Sequence, residues 1–147
     1  TQRDNGTALQ IFDVSKPTEP SLAHKALVGD GYSEANHNHK AFNFYADKGL
    51  LAFPFVSYES DFSSTLELWE VDAVDGLQRL GAVDHSDLVV DDCGQPYPVE
   101  EFYYYCGYYP QITRGVFIDD FIYSISHGGV RVHEVSDLAS PVATARY

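Results

Sequence analysis

The sequence predicts an all-β chain assembled from repeated four-stranded antiparallel units. Three observations predict it. One short segment recurs three times along the chain. The apolar residues alternate or run continuously, and no stretch sustains the i, i+3, i+4, i+7 stripe of an amphipathic helix. Those stretches are also rich in β-branched and aromatic residues, within a chain that is 44% hydrophobic and 14% aromatic.

The recurring segment is ALQIFDVSKPTEPSL at 8–22, TLELWEVDAVDGLQRL at 65–80 and GVRVHEVSDLASPV at 129–142. Each copy has two aliphatics spaced by two residues: Leu9 and Ile11, Leu66 and Leu68, Val130 and Val132. A polar residue separates them (Gln10, Glu67, Arg131). A ring follows (Phe12, Trp69, His133), then an acid (Asp13, Glu70, Glu134), a valine (Val14, Val71, Val135) and a turn former (Ser15, Asp72, Ser136). Period-2 spacing followed by a turn former is the pattern of a strand that ends in a reversal.

The other strands follow in order. Leu22–Val28 closes the first copy. His39–Tyr45 and Gly49–Tyr58, joined by a turn at Ala46–Gly49, precede the second copy, and Leu77–Val83 closes it. Arg114–Ile118 and Phe121–Ser126, joined by Asp119–Asp120, precede the third. Gly128–Gly129 is expected to supply a tight hairpin, since glycine tolerates positive φ, and Val142–Tyr147 closes the unit. This gives a half-blade at 8–28, a blade at 39–85, a loop insert at 86–110 and a blade at 114–147. Apolar residues on both faces mean that each small sheet is covered on both sides, as in a β-propeller. The expected architecture is therefore a propeller fragment of about two and a half blades. The copies recur about every 60 residues against ~40–50 for a plain blade, the excess lying at Glu59–Ser64 and Ser86–Pro110.

The strand LQIFDVSKPTEP resembles the LVIVD-type repeat of bacterial surface propellers. HKAFNFYADKGLLAFPF, GLQRLGAVDH and RGVFIDDFIYSISHGGVRVHEVSDL resemble the secreted C-terminal β-propeller family of bacteria and archaea, distantly related to WD40 repeats. The resemblance covers Ala8 to Val142, least at 87–109. It implies an extracytoplasmic location (secreted, periplasmic or cell surface) and no particular reaction, so it brings no catalytic residues.

The chain has 147 residues, long enough for a real core, and carries 22 acidic groups against 9 basic ones, a net charge of -13. Nucleic acid and anionic membrane surfaces both call for basic patches, so the charge argues against them. No apolar run approaches the ~20 residues of a membrane-spanning helix. There is no methionine, position 1 included, which reads as a processed or excised piece of a longer protein.

Candidate sites gather at the loops. His37 and His39 stand at i, i+2, and with His85 could hold a transition metal; the other reading of His39 and His85 is a structural hydrogen-bond role. Leu80–Thr113 contains no Lys or Arg but has Asp84, Asp87, Asp91, Asp92, Glu100 and Glu101. Clustered carboxylates can bind Ca²⁺, but the spacing matches no EF-hand loop or RTX-type repeat, so the favoured reading is a solvated acidic loop, with a Ca²⁺ site as the alternative and no other cofactor expected. Tyr97, Tyr103, Tyr104, Tyr105, Tyr108 and Tyr109 offer rigid contact area with polar tips, unless they cover the insert's own small core. Cys93 and Cys106 bracket Gly94, Pro96 and Pro98 without any zinc spacing, and are expected to pair as a disulfide in an exported protein.

G-x-S-x-G, HExxH and SxxK are all absent. The reading is a non-catalytic exported propeller that binds a protein or carbohydrate through its loops. The alternatives are a hydrolase-like enzyme with a channel site completed by further blades, and a structural cell-surface module. The expected partners are that ligand and the remaining blades, supplied upstream in the same gene product or by another chain.

Overall fold

The structure, a computed structural model, describes residues 2–3, 6–57, 63–88 and 111–147. Its strands are β1 Gln2–Arg3, β2 Gly6–Asp13, β3 Ser21–Tyr32, β4 Asn43–Tyr45, β5 Leu50–Ser57, β6 Ser63–Asp72, β7 Gly76–Asp84, β8 Ile112–Ile118, β9 Phe121–Ser126, β10 Gly129–Glu134 and β11 Ala143–Arg146. All pairings are antiparallel. No α-helix occurs among the described residues, and none there is long and apolar enough to cross a membrane.

Three blades are visible. β2 and β3 are the outer half of the first, β4–β7 form the second, and β8–β11 form the third. The recurring segment is the third strand of its blade each time: β2, β6 and β10. The first two sheets are spliced only where Gly31 and Tyr32 pair with Ser57 and Val56.

The middle blade is buried on both faces, because alternate residues of its strands serve opposite neighbours. Leu51, Phe53, Phe55 and Trp69 face the first blade, where Leu9, Ala26 and Val28 pack on them. Ala52, Leu66, Leu68 and Val83 face the third blade and meet Ile112 and Ile122, with Phe117 and Leu138 around them. Each such aliphatic side chain fully withdrawn from water stabilises by about 1.5–3 kcal/mol. The close fit depends on Gly115, where a β-carbon would stand 2.7 Å from the Leu66 side chain.

Two local expectations need correction. His39–Tyr45 is not a strand throughout: His39–Ala41 forms a 3-10 turn, capped by Asn38, and only Asn43–Tyr45 pairs with β5. Ala41 would fall opposite Pro54, which has no N–H for the ladder, and the Pro54 carbonyl instead accepts the Ser33 hydroxyl at 2.6 Å. The β9–β10 turn is His127–Gly128, because Gly129, at φ 151°, already pairs with Ser126.

Candidate functional site

Antiparallel strands alternate in direction, so the connections sort onto two rims. Residues 33–42, which lead from the first blade to the second, and residues 85–88 and 111, the described ends of the connection from the second to the third, open on one rim with the His127–Gly128 turn. The turns 46–49, 73–75 and 119–120 open on the other. The rim with the long connections is the candidate site, and it carries His37, His39, His85 and both ends of the 86–110 insert.

At the first seam of this rim, Ser33 follows β3 and caps the 3-10 turn Glu34–Asn36. The His37 ring stacks on Tyr32 with centroids 5.9 Å apart, and the Tyr32 hydroxyl donates to Glu34. His37 and His39 are exposed. His85, at the second seam, is fully buried. Its Nδ1 lies 2.8 Å from Ser126 Oγ and its Nε2 2.7 Å from Ser124 Oγ. The Ser124 hydroxyl donates in turn to the Arg131 carbonyl, and Ser126 Oγ accepts the Gly128 N–H. Burial, and then the positive charge of Arg131, push the His85 pKa down to about 4, so the ring is neutral. A neutral imidazole offers one donor and one acceptor, which two hydroxyls can satisfy.

The histidines proposed as a metal set are thus not brought together. Among the described residues no group of three or more His, Cys, Asp or Glu side chains could hold a metal ion. His85 stands where a structural hydrogen-bond role would place it, bridging β7 to β9.

The outgoing end of the insert is held by charge and by packing. Asp87 receives Arg131 Nη2 at 2.6 Å, and Arg146 donates to its carbonyl at 3.2 Å. Arg131 Nη1 donates to the Asp84 carbonyl at 2.8 Å. The Asp87 carboxyl is held below the usual carboxylate range, chiefly by its hydrogen bond with Arg131. Leu88 is 1% exposed and backs onto Gly128. The incoming end is Ile112, 2% exposed, which pairs with Ser126 and donates its N–H to Ser64 at 2.9 Å. Both ends therefore meet at the β9–β10 hairpin.

Arg131 Nε and His133 Nδ1 are buried without a hydrogen-bond partner among the described residues. Burial, and then Arg131, lower the His133 pKa as well. The six insert tyrosines, Cys93 and Cys106, and Asp91, Asp92, Glu100 and Glu101 lie outside the described residues.

Sequence reading missed Ser33, Ser124, Ser126 and the seam role of Arg131, and took Asp87 only as one carboxylate of the acidic stretch. One signal was present: Ser124 and Ser126, at i, i+2 on an otherwise apolar strand, place two hydroxyls on one face.

No curated protein and no solved structure matches the chain. A family model described as the beta propeller domain matches residues 1–138. That match spans most of the described blades and all three copies of the recurring third strand. By sequence model and by blade architecture alike, the chain belongs to the beta propeller domain family.

Proposed function

We propose that the chain is an exported propeller module that binds a protein or carbohydrate through its loop rim, with the 86–110 insert as contact surface. One observation carries this reading: Leu88 and Ile112, the last described residues on the insert's two flanks to be buried, meet on the same hairpin. An insertion mounted on one rim of a repeat scaffold is a common way to present a binding surface on a rigid base. Tyrosine-rich composition suits protein or sugar contact, since the ring supplies area at low entropic cost. A Cys93–Cys106 disulfide would close the insert on itself, in keeping with export.

The test replaces residues 90–110 by a short Gly-Ser linker. The variant and the parent are compared on a glycan array and a peptide array, with melting temperature as control. The reading requires array binding by the parent, its loss in the variant, and a melting temperature that changes little. Parent and variant binding alike would refute it.

The remaining blades are the second class of partner proposed. An apolar groove between the first two blades is lined by Phe12, Phe42, Phe44, Leu51, Val71 and Leu77. Phe12, Phe42 and Phe44 are about half exposed there, and the inner part of a first blade would cover them.

A further inference from the structure

The rim of short turns carries a cavity of about 530 Å³ where the second and third blades meet. Its apolar wall is Leu50, Leu80 and Val135. Leu50 is buried and stands two residues before Ala52, so the period-2 alternation of β5 puts it on the face turned to the third blade. Val135 packs from the third blade on the core that the two sheets share. Leu80 lies beside Gly81, on which Leu138 packs, and is still 43% exposed, so the seam is not closed at this end.

The polar wall is charged. Lys48 donates to the Asp119 carbonyl at 2.7 Å and to Asp120 Oδ1 at 2.5 Å, with its ammonium 5.6 Å from the centre of the Tyr45 ring. That latch joins the turns of two blades and engages the one cation among the lining residues described. Glu134 also lines the cavity, and among the described residues its carboxylate has one partner, the Ser136 hydroxyl at 3.3 Å. Two lining carboxylates against one ammonium already bonded leave the wall negative, in a chain of net charge -13. A cavity of several hundred cubic ångströms with an apolar wall and a few charged groups is the usual form of a small-ligand site. An apolar wall favours a carbon skeleton, and the surplus of carboxylate attracts a cation and repels an anion. A neutral sugar would leave the charge of Glu134 uncompensated.

We propose that this seam cavity binds a compact organic cation, an ammonium or guanidinium on an apolar body. The carbon skeleton lies against Leu50, Leu80 and Val135, and the charge lies at Glu134 and Asp120. A free amine and the side chain of a lysine or arginine in a peptide share that chemistry. The site is on the opposite rim from the long connections and does not rest on the reading of the insert.

The test is a titration of the whole chain followed by backbone amide NMR shifts. The probes are phenethylamine, acetyl-Phe-Lys-amide and, as the uncharged match, 2-phenylethanol. One or both cations should shift the amides of Leu50, Leu80 and Val135 saturably, with dissociation constants of about 1–10 mM, as suits so small a ligand. 2-Phenylethanol should bind about threefold more weakly or worse. Glu134→Gln should weaken the cations by about threefold, the size of a solvent-exposed ion pair, and leave 2-phenylethanol unchanged. Glu134 is exposed, so the spectrum of that variant should otherwise match the parent. Leu80→Ala should weaken all three probes. Saturation by phenethylamine supports the proposal with a free amine as ligand, and saturation by the peptide alone supports it with a basic side chain. The proposal is overturned if neither cation gives saturable shifts at these amides, if 2-phenylethanol binds as tightly, or if Glu134→Gln leaves the affinity for the cations unchanged.

Discussion

Gly128 backs onto Leu88 so closely that a β-carbon at Gly128 would stand 2.1 Å from the Leu88 carbonyl oxygen. Backbone cannot yield as a side-chain tip can, so Gly128→Ala should push the Ser86–Leu88 turn off the hairpin. The expected cost is about 2 kcal/mol, in the range of overpacking. Chemical denaturation would measure it, and a loss under about 0.5 kcal/mol would contradict the packing described.

His85 gives the chain a defined acid sensitivity. Its folded pKa is about 4, whereas an unfolded histidine protonates near 6.5. Above pH ~6.5 both states are neutral and the contribution of the buried ring is fully present. As pH falls from ~6.5 towards 4, the unfolded chain takes up a proton that the folded chain refuses, and stability declines by roughly 3 kcal/mol. His133, also lowered, acts in the same direction. Urea melts at pH 7.5, 5.5 and 4.5 should show the fall, and His85→Gln should flatten most of it.

Removing the ring altogether is worse. His85→Ala takes one partner from each of the Ser124 and Ser126 hydroxyls and leaves a cavity beside them, at about 3 kcal/mol by the usual sum of lost packing and lost hydrogen bonds. Calorimetry at pH 7.5 would test it, where protonation plays no part.

Glu67, 4% exposed, is held by Arg79 through Nε at 2.6 Å and Nη2 at 3.0 Å. Arg79→Ala should cost about 1–2 kcal/mol, less than a fully buried pair because the arginine is half exposed. Glu67→Gln combined with Arg79→Ala should recover part of that loss. Thermal denaturation of the three proteins would decide.

Tyr104→Ala and Tyr108→Ala should weaken binding to whatever the arrays identify while shifting the melting temperature little. If both variants unfold instead, those rings are packing residues. Peptide mapping under non-reducing conditions should find Cys93 joined to Cys106, and loop closure over ~14 residues should contribute roughly 3 kcal/mol. Two alkylatable thiols in the native protein would exclude the bond.

The third strand of each blade was legible because its signal is local. Leu66, Leu68 and Trp69 announce a two-faced strand within a few residues, and the structure buries them on opposite sides. The inner strand of the middle blade was legible only in part. His39–Ala41 looks strand-like by composition, but its fate is decided by Pro54 in the neighbouring strand. The seam was least legible. His85 meets Ser124 and Ser126 across some forty positions of chain, and no spacing rule within a segment brings them together. The same histidine attracted a metal reading for want of those partners.

The sorting of connections onto two rims has a practical side. Val74 is 82% exposed at the tip of the 73–75 turn, on the rim away from the insert. A single cysteine placed there gives a handle for biotin or a dye. Coupled to a sensor surface through that point, every molecule would lie with the same side down. The rim that carries Leu88 and Ile112 would then face the flowing sample, and binding constants could be read without averaging over orientations.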